Sequence, residues 1–177
     1  MKRKNTKDEI KNYFFINPTS KLRVRQIERE LKLSLPSIIK SCHELEKEGI
    51  IKKEKIAGTA LYSSDRASKN FLLEKKLHNL KHLYNSGFVE YLRIELSNPL
   101  IIVFGSYAKG EDIENSDIDT YIQTSSPKKL HVEKFERILK RKIQIFSYKN
   151  IRDVPNLHLA NNIVNGITLN GFLEIFA

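Results

Sequence analysis

Gly105-Ser-Tyr-Ala-Lys-Gly-Glu-Asp-Ile-Glu-Asn-Ser-Asp-Ile-Asp119 is the stretch that decides how this 177-residue chain is read. Just before it, Pro99 to Phe104 is an apolar run of strand length, rich in branched residues. Gly105-Ser106 breaks that run into a short turn and helix, Tyr107 to Gly110. Glycine lets a backbone approach a phosphate closely, and the N–H groups of a helix start, helped by a hydroxyl, cradle an anion. Ser106 supplies the hydroxyl and Lys109 a nearby cation. Ten residues after the Gly-Ser pair come Asp117 and Asp119, at the start of the next apolar stretch, Ile118 to Ile122. Two apart on a strand means one face, so both carboxylates can reach the same hard cation.

A phosphate cradle beside a carboxylate pair is the apparatus of nucleotidyl transfer, in which divalent ions hold the triphosphate and activate the nucleophile. The stretch resembles the signature of the minimal nucleotidyltransferases of the DNA polymerase β superfamily. Their pattern is Gly-Ser, ten residues, Asp-x-Asp, and this chain matches it at all four fixed positions. The resemblance covers roughly residues 88–177. It implies a small α/β domain with a mixed sheet. It also implies a nucleoside triphosphate, ATP foremost, held by Gly105, Ser106 and Lys109, with Mg²⁺ or Mn²⁺ on the catalytic pair Asp117 and Asp119. Glu111, Asp112 and Glu114 add acid between the motif's two ends, so the segment also reads as a solvated acidic loop.

The resemblance implies a third carboxylate, on a strand after the next helix. That helix is expected over His131 to Arg141 and the strand over Lys142 to Ser147. Alternation puts Ile143 and Ile145 on one side, and Lys142, Gln144 and Phe146 on the other. Gln144 then faces the aspartates: an amide where the family usually has Asp. Its oxygen can meet a cation or a nucleotide, but it cannot serve as a base. A further helix is expected over Leu157 to Val164 and a final strand over Phe172 to Phe176.

The net charge of +10 is unevenly spread. Residues 1–66 hold 16 Lys and Arg against 9 Asp and Glu, a balance of +7, whereas residues 98–177 hold 10 against 9. The N-terminal third is therefore where a polyanion should dock. Three helices are expected there. The first runs from Asp8 to Ile16, and the second from Val24 to Leu31. The third starts at an N-cap Ser34 with Pro36 in its first turn and buries Ile38, Ile39, Cys42 and Leu45. A hairpin follows, Ile50 to Ile56 and Ala60 to Ser63. This order resembles a winged helix-turn-helix, which implies double-stranded DNA as partner. Ser37, Lys40 and Ser41, with His43, would face the bases, and Lys52, Lys53, Lys55 and Thr59 would form the wing. Arg23, Arg25 and the tail Met1 to Lys7 are further candidates for the phosphate backbone.

The fold class expected is thus α+β in three parts. They are a winged helix-turn-helix over 1–66, a connector helix over 67–87, and a polymerase β-like nucleotidyltransferase domain over 88–177. The connector is either a helix packed on a neighbour or a homodimer seam. No run approaches the ~20 apolar residues of a membrane span, and the start carries no signal-peptide core, so a cytoplasmic protein is expected. The lone Cys42 excludes an internal disulfide. Two functions remain open: a nucleotidyltransferase acting on a protein or small-molecule hydroxyl, or a DNA-binding regulator whose nucleotide domain binds nucleotide or a protein partner, as an antitoxin does, without turnover.

Overall fold

The computed structural model describes residues 5–56 and 58–175. The chain divides into two compact units, Met1–His78 and Asn79–Ala177.

In the first unit, α1 (Thr6–Ile16) is capped by the Asn5 side chain, which accepts from the Lys7 N–H. It stops before Pro18, which cannot continue a helix. β1 (Lys21–Leu22) leads into α2 (Val24–Leu31), and α3 (Leu35–Lys47) follows with proline in its first turn. β2 (Ile51–Ile56) and β3 (Thr59–Ser64) form a hairpin, and β1 pairs on the far side of β3 to give an antiparallel sheet in the order β1-β3-β2. Ile10, Phe14, Ile27, Ile38, Cys42 and Leu45 are buried together as the core. Burial pushes the Cys42 thiol up to about 12, which leaves it an inert packing group.

Helix α3 departs from expectation at two adjacent turns. Ile39, expected in the core, is 52% exposed, and Ser41, expected on the open face, is only 7% exposed. Steps of about 100° per residue explain both. Ser41 falls between Ile38 and Leu45 on the packed stripe, while Ile39 is turned away from it.

α4 (Lys69–Asn85) crosses the division between the units. In the second unit, α5 (Phe88–Glu95) leads to β4 (Leu100–Phe104), α6 (Gly105–Lys109) and β5 (Ile118–Gln123). α7 (Glu133–Leu139) and β6 (Ile143–Tyr148) follow, then a single 3₁₀ turn (Ile151–Asp153), α8 (Leu157–Val164) and β7 (Ile167–Asn170). The sheet runs β6-β5-β4-β7, with β5 and β6 parallel and the other pairs antiparallel. One face is sealed by Leu83, Phe88, Leu92, Phe135 and Leu139 over Ile101, Val103, Ile118 and Ile122. On the other face, Ile163 of α8 joins Ile102, Phe104 and Tyr121.

The last strand is not where the sequence put it. β7 occupies 167–170, and Phe172 is 79% exposed; Phe176 lies outside the described residues. β7 pairs with β4, and Gly166 makes its approach possible, since a Cβ there would sit 2.7 Å from the Val103 carbonyl oxygen. Among the described residues, no helix is long and apolar enough to cross a membrane.

Candidate active site

Strand register aligns the site. Phe104 of β4 pairs with Asp119 of β5, and Asp119 pairs with Gln144 of β6. Paired residues on neighbouring strands point the same way, so Phe104, Asp119 and Gln144 form one row on the α8 face of the sheet. α8 covers the next part of this face, where Ile102 and Tyr121 pair, and Asp119 remains half-buried while Gln144 is exposed. Asp117 is exposed and stands two residues before Asp119, just ahead of β5, close enough for its charge to act on the Asp119 carboxyl. Its charge and, more strongly, burial hold the Asp119 carboxyl above the usual carboxylate range.

Gly105 closes the arrangement. Its φ of +71° lies in the left-handed region, and a Cβ there would collide with the Asp119 Oδ2. Only glycine lets the start of α6 come this close to the carboxylate. The half-buried Ser106 is next in the turn, with α6 leading from it to the exposed Lys109. Among the described residues, no hydrogen bond or ion pair joins Lys109 to either aspartate. A cleft of about 570 Å³ opens beside Asp117, lined also by Ser116, Glu136, Arg137, Lys140 and Lys142.

Two carboxylates and an amide make a donor set of oxygens on one face, suited to a hard divalent cation whose remaining ligands come from phosphates and water. Burial first, and the neighbouring Asp117 second, disfavour ionisation of Asp119, and a cation between the two acids would offset both. Among the described residues, no group of three or more His, Cys, Asp or Glu side chains is placed to hold a metal.

Residues 86–159 match the family model of the nucleotidyltransferase domain. The match runs from the residues preceding α5 to the first turns of α8, and so contains the whole row. It supports nucleotidyl transfer as the general chemistry of this domain. No curated protein and no solved structure matches the chain.

The sequence reading missed what holds α6. Asp112, within the stretch that reads as a solvated acidic loop, is 1% exposed. Its Oδ1 accepts from Asn79 Nδ2 at 2.8 Å, and its Oδ2 faces Arg141 Nη2 at 3.5 Å. The same Asn79 amide donates to the Tyr107 carbonyl at 2.9 Å, and the Tyr107 hydroxyl donates back to the Asn79 carbonyl. One buried polar network thus ties α6, the loop after it, α4 and the entry to β6 together. Charge alone gave no hint, because Asp112 stands between two other acidic residues.

In the first unit the candidate DNA-facing residues are scattered. Ser37 is half-buried and bonds to Ser34 Oγ at 2.8 Å, Lys40 and His43 are exposed, and Ser41 faces the core. On the hairpin, Lys52 pairs with Glu54 at 2.8 Å, Lys53 sits 5.8 Å from the Tyr62 ring centroid, Lys55 is exposed, and Thr59 begins β3. Arg23 and Arg25 are exposed, with Arg25 3.6 Å from Glu28. Lys7 is engaged by Glu48 and Glu44, and residues 1–4 of the tail lie outside the described residues.

Proposed function

We propose that the nucleotidyltransferase domain binds a nucleoside triphosphate, ATP foremost, and transfers its nucleotidyl group to a hydroxyl of a protein or small molecule, while residues 1–66 bind double-stranded DNA. The observation that carries the first part is the meeting of Gly105 with Asp119 in the row that contains Gln144. In this reading the backbone N–H groups at Gly105-Ser106 and the Ser106 hydroxyl hold phosphate oxygens, with Lys109 as a further cation at the end of α6. Asp117 and Asp119 hold Mg²⁺ or Mn²⁺, which when bound offsets phosphate charge and polarises the reacting phosphorus. The Gln144 amide orients the nucleotide, and the cleft beside Asp117 receives the acceptor. Incubation with each α-labelled nucleoside triphosphate and either metal tests this: transferred label or released pyrophosphate is expected. If no nucleotide yields either product with any acceptor fraction, the transfer reading is wrong.

A second reading is favoured by Gln144 itself, which leaves the row one carboxylate short. A domain with no base for the attacking hydroxyl would bind nucleotide as a signal, within a DNA-binding regulator or an antitoxin-like pair with a protein partner. Gln144→Glu keeps the side-chain length and adds the charge, and Gln144→Asp adds it on a shorter arm. On the regulator reading at least one of these raises pyrophosphate release above wild type. On the enzyme reading both lower it, because the amide is then tuned to the substrate.

DNA binding is supported by the charge of residues 1–66, the exposed Lys40 and Lys55, and the hairpin beside α3. With four to six phosphate contacts, log K should fall against log salt with a slope of about −4 to −5. Lys53→Glu with Lys55→Glu should weaken binding to all duplexes alike, since phosphate contacts carry no sequence information. A slope near zero in a titration of the full chain would mean that these cations are merely solvated.

A further inference from the structure

The positive charge of the second unit is concentrated around α7. Residues 128–142 hold 7 Lys and Arg against 2 Asp and Glu, while the rest of 98–177 holds 3 against 7. These cations gather in concave surface. Lys128, Lys129, His131, Lys134 and Arg137 line a cleft of about 410 Å³ where α5 and α7 meet, and Arg137 also lines the cleft beside Asp117. The acids beside them are Glu95, Glu133 and Glu136, of which Lys128 engages the first and Lys142 the last. Among the described residues, no ion pair engages Lys129, Lys134, Arg137 or Lys140. The cationic cleft in turn shares Tyr91 and Lys134 with a third, apolar cleft of about 490 Å³. Ile94, 70% exposed, and Ile138, 49% exposed, line that one. One continuous surface thus passes from apolar, through cationic, to the carboxylate pair. A sugar-phosphate chain would meet the cations and leave the isoleucines in water, and a second copy of this face would bring the same excess of positive charge. A polypeptide with both apolar and acidic side chains satisfies the whole surface.

We propose that this face docks the acceptor, a polypeptide segment with apolar and acidic side chains whose Ser, Thr or Tyr hydroxyl enters the cleft beside Asp117. The proposal rests on the transfer reading above and deepens it by committing the acceptor to a protein and naming what selects it. Ile94 and Ile138 take the apolar side chains, and Lys129, Lys134 and Arg137 the carboxylates. The acceptor oxygen bonds to the α-phosphorus of the triphosphate, the bond from that phosphorus to the bridging oxygen breaks, and pyrophosphate leaves. The hydroxyl proton passes to water, since the Gln144 amide is no base.

The test uses the full chain with α-labelled nucleoside triphosphates and Mg²⁺ or Mn²⁺. The probes are synthetic peptides with a central Ser, Thr or Tyr, flanked by leucine alternating with glutamate, with lysine or with glutamine. A single-stranded oligonucleotide with a free 3′ hydroxyl is offered beside them. Wild type should label the glutamate peptides best. Lys129→Glu with Lys134→Glu should raise their KM about tenfold, as exposed attractions become repulsions, and should shift the preference toward the lysine peptides. Ile94→Asp with Ile138→Asp should raise KM for every leucine-flanked peptide and leave kcat unchanged. Lys53→Glu with Lys55→Glu removes as much charge from the first unit and should keep the wild-type preference, which separates this face from the general attraction of a basic chain. Calorimetry with ATP should give the same affinity for Lys129→Glu with Lys134→Glu as for wild type. The proposal is overturned if peptides are labelled without regard to flanking charge, if Lys129→Glu with Lys134→Glu keeps the wild-type preference, or if label goes to the oligonucleotide in place of the peptides; in each case the transfer reading stands. If neither label nor pyrophosphate appears with any acceptor, the transfer reading falls and this acceptor assignment with it.

Discussion

Asp112→Ala should lower the unfolding free energy of the second unit by about 3–5 kcal/mol, the usual cost of removing one partner from a buried ion pair. The carboxylate is 1% exposed and faces a guanidinium that is itself 6% exposed, and it also accepts from Asn79. Its removal withdraws a negative charge from a site that water cannot reach, and leaves an amide hydrogen to find another acceptor. Asp112→Asn keeps the shape and one acceptor, so it should cost less. Glu111→Ala, one residue away and exposed, should change stability by less than about 0.5 kcal/mol. Chemical denaturation followed by a probe in the second unit checks the series. Equal effects of Asp112→Ala and Glu111→Ala would show that the buried network adds nothing.

The contrast between Asp112 and its neighbours shows where sequence reasoning reaches its limit here. Elements whose boundaries are set by local chemistry were legible. α2 and α8 fall at the expected residues because apolar spacing and capping residues define both ends. The order of β4, α6 and β5 was legible from one motif, since a branched run, a glycine and an Asp-x-Asp pair each constrain the backbone directly. What escaped depends on distant partners. Asp112 is buried where Asn79 and Arg141, 33 and 29 residues away, come to meet it. β7 is a four-residue strand whose existence rests on an edge of β4 and on a glycine that fits against it. Ile39 and Ser41 exchanged places because a hydrophobic count treats both isoleucines of an Ile-Ile pair alike, whereas a helix turns by about 100° between them. That Gln144 would face Asp119 was implied by the family resemblance together with alternation, and the parallel register pairs the two positions.

Asp117→Asn with Asp119→Asn should abolish metal-dependent nucleotide binding and at the same time raise the thermal stability of the metal-free protein. The two effects have one origin. Burial and the neighbouring Asp117 hold the Asp119 carboxyl above its ordinary value, so the folded state binds its proton more tightly than the unfolded chain does. A carboxylate shifted in this direction favours the fold at low pH, and that contribution is lost as pH rises through the raised value. At neutral pH the ionised pair therefore works against folding, and neutral amides of the same shape relieve it. A cation would relieve it too, and on the proposed reading that relief would favour metal binding. Binding should fall by more than an order of magnitude in calorimetry with ATP and Mg²⁺, because the amides offer oxygen but no charge to offset the phosphates. Thermal melting without metal should shift upward for the double variant, and adding Mg²⁺ with nucleotide should raise the wild-type midpoint alone. If the variant binds ATP as well as wild type, the aspartates do not hold the metal. If it binds less but also melts lower, the pair is a structural element of the sheet end and not a strained, functional one.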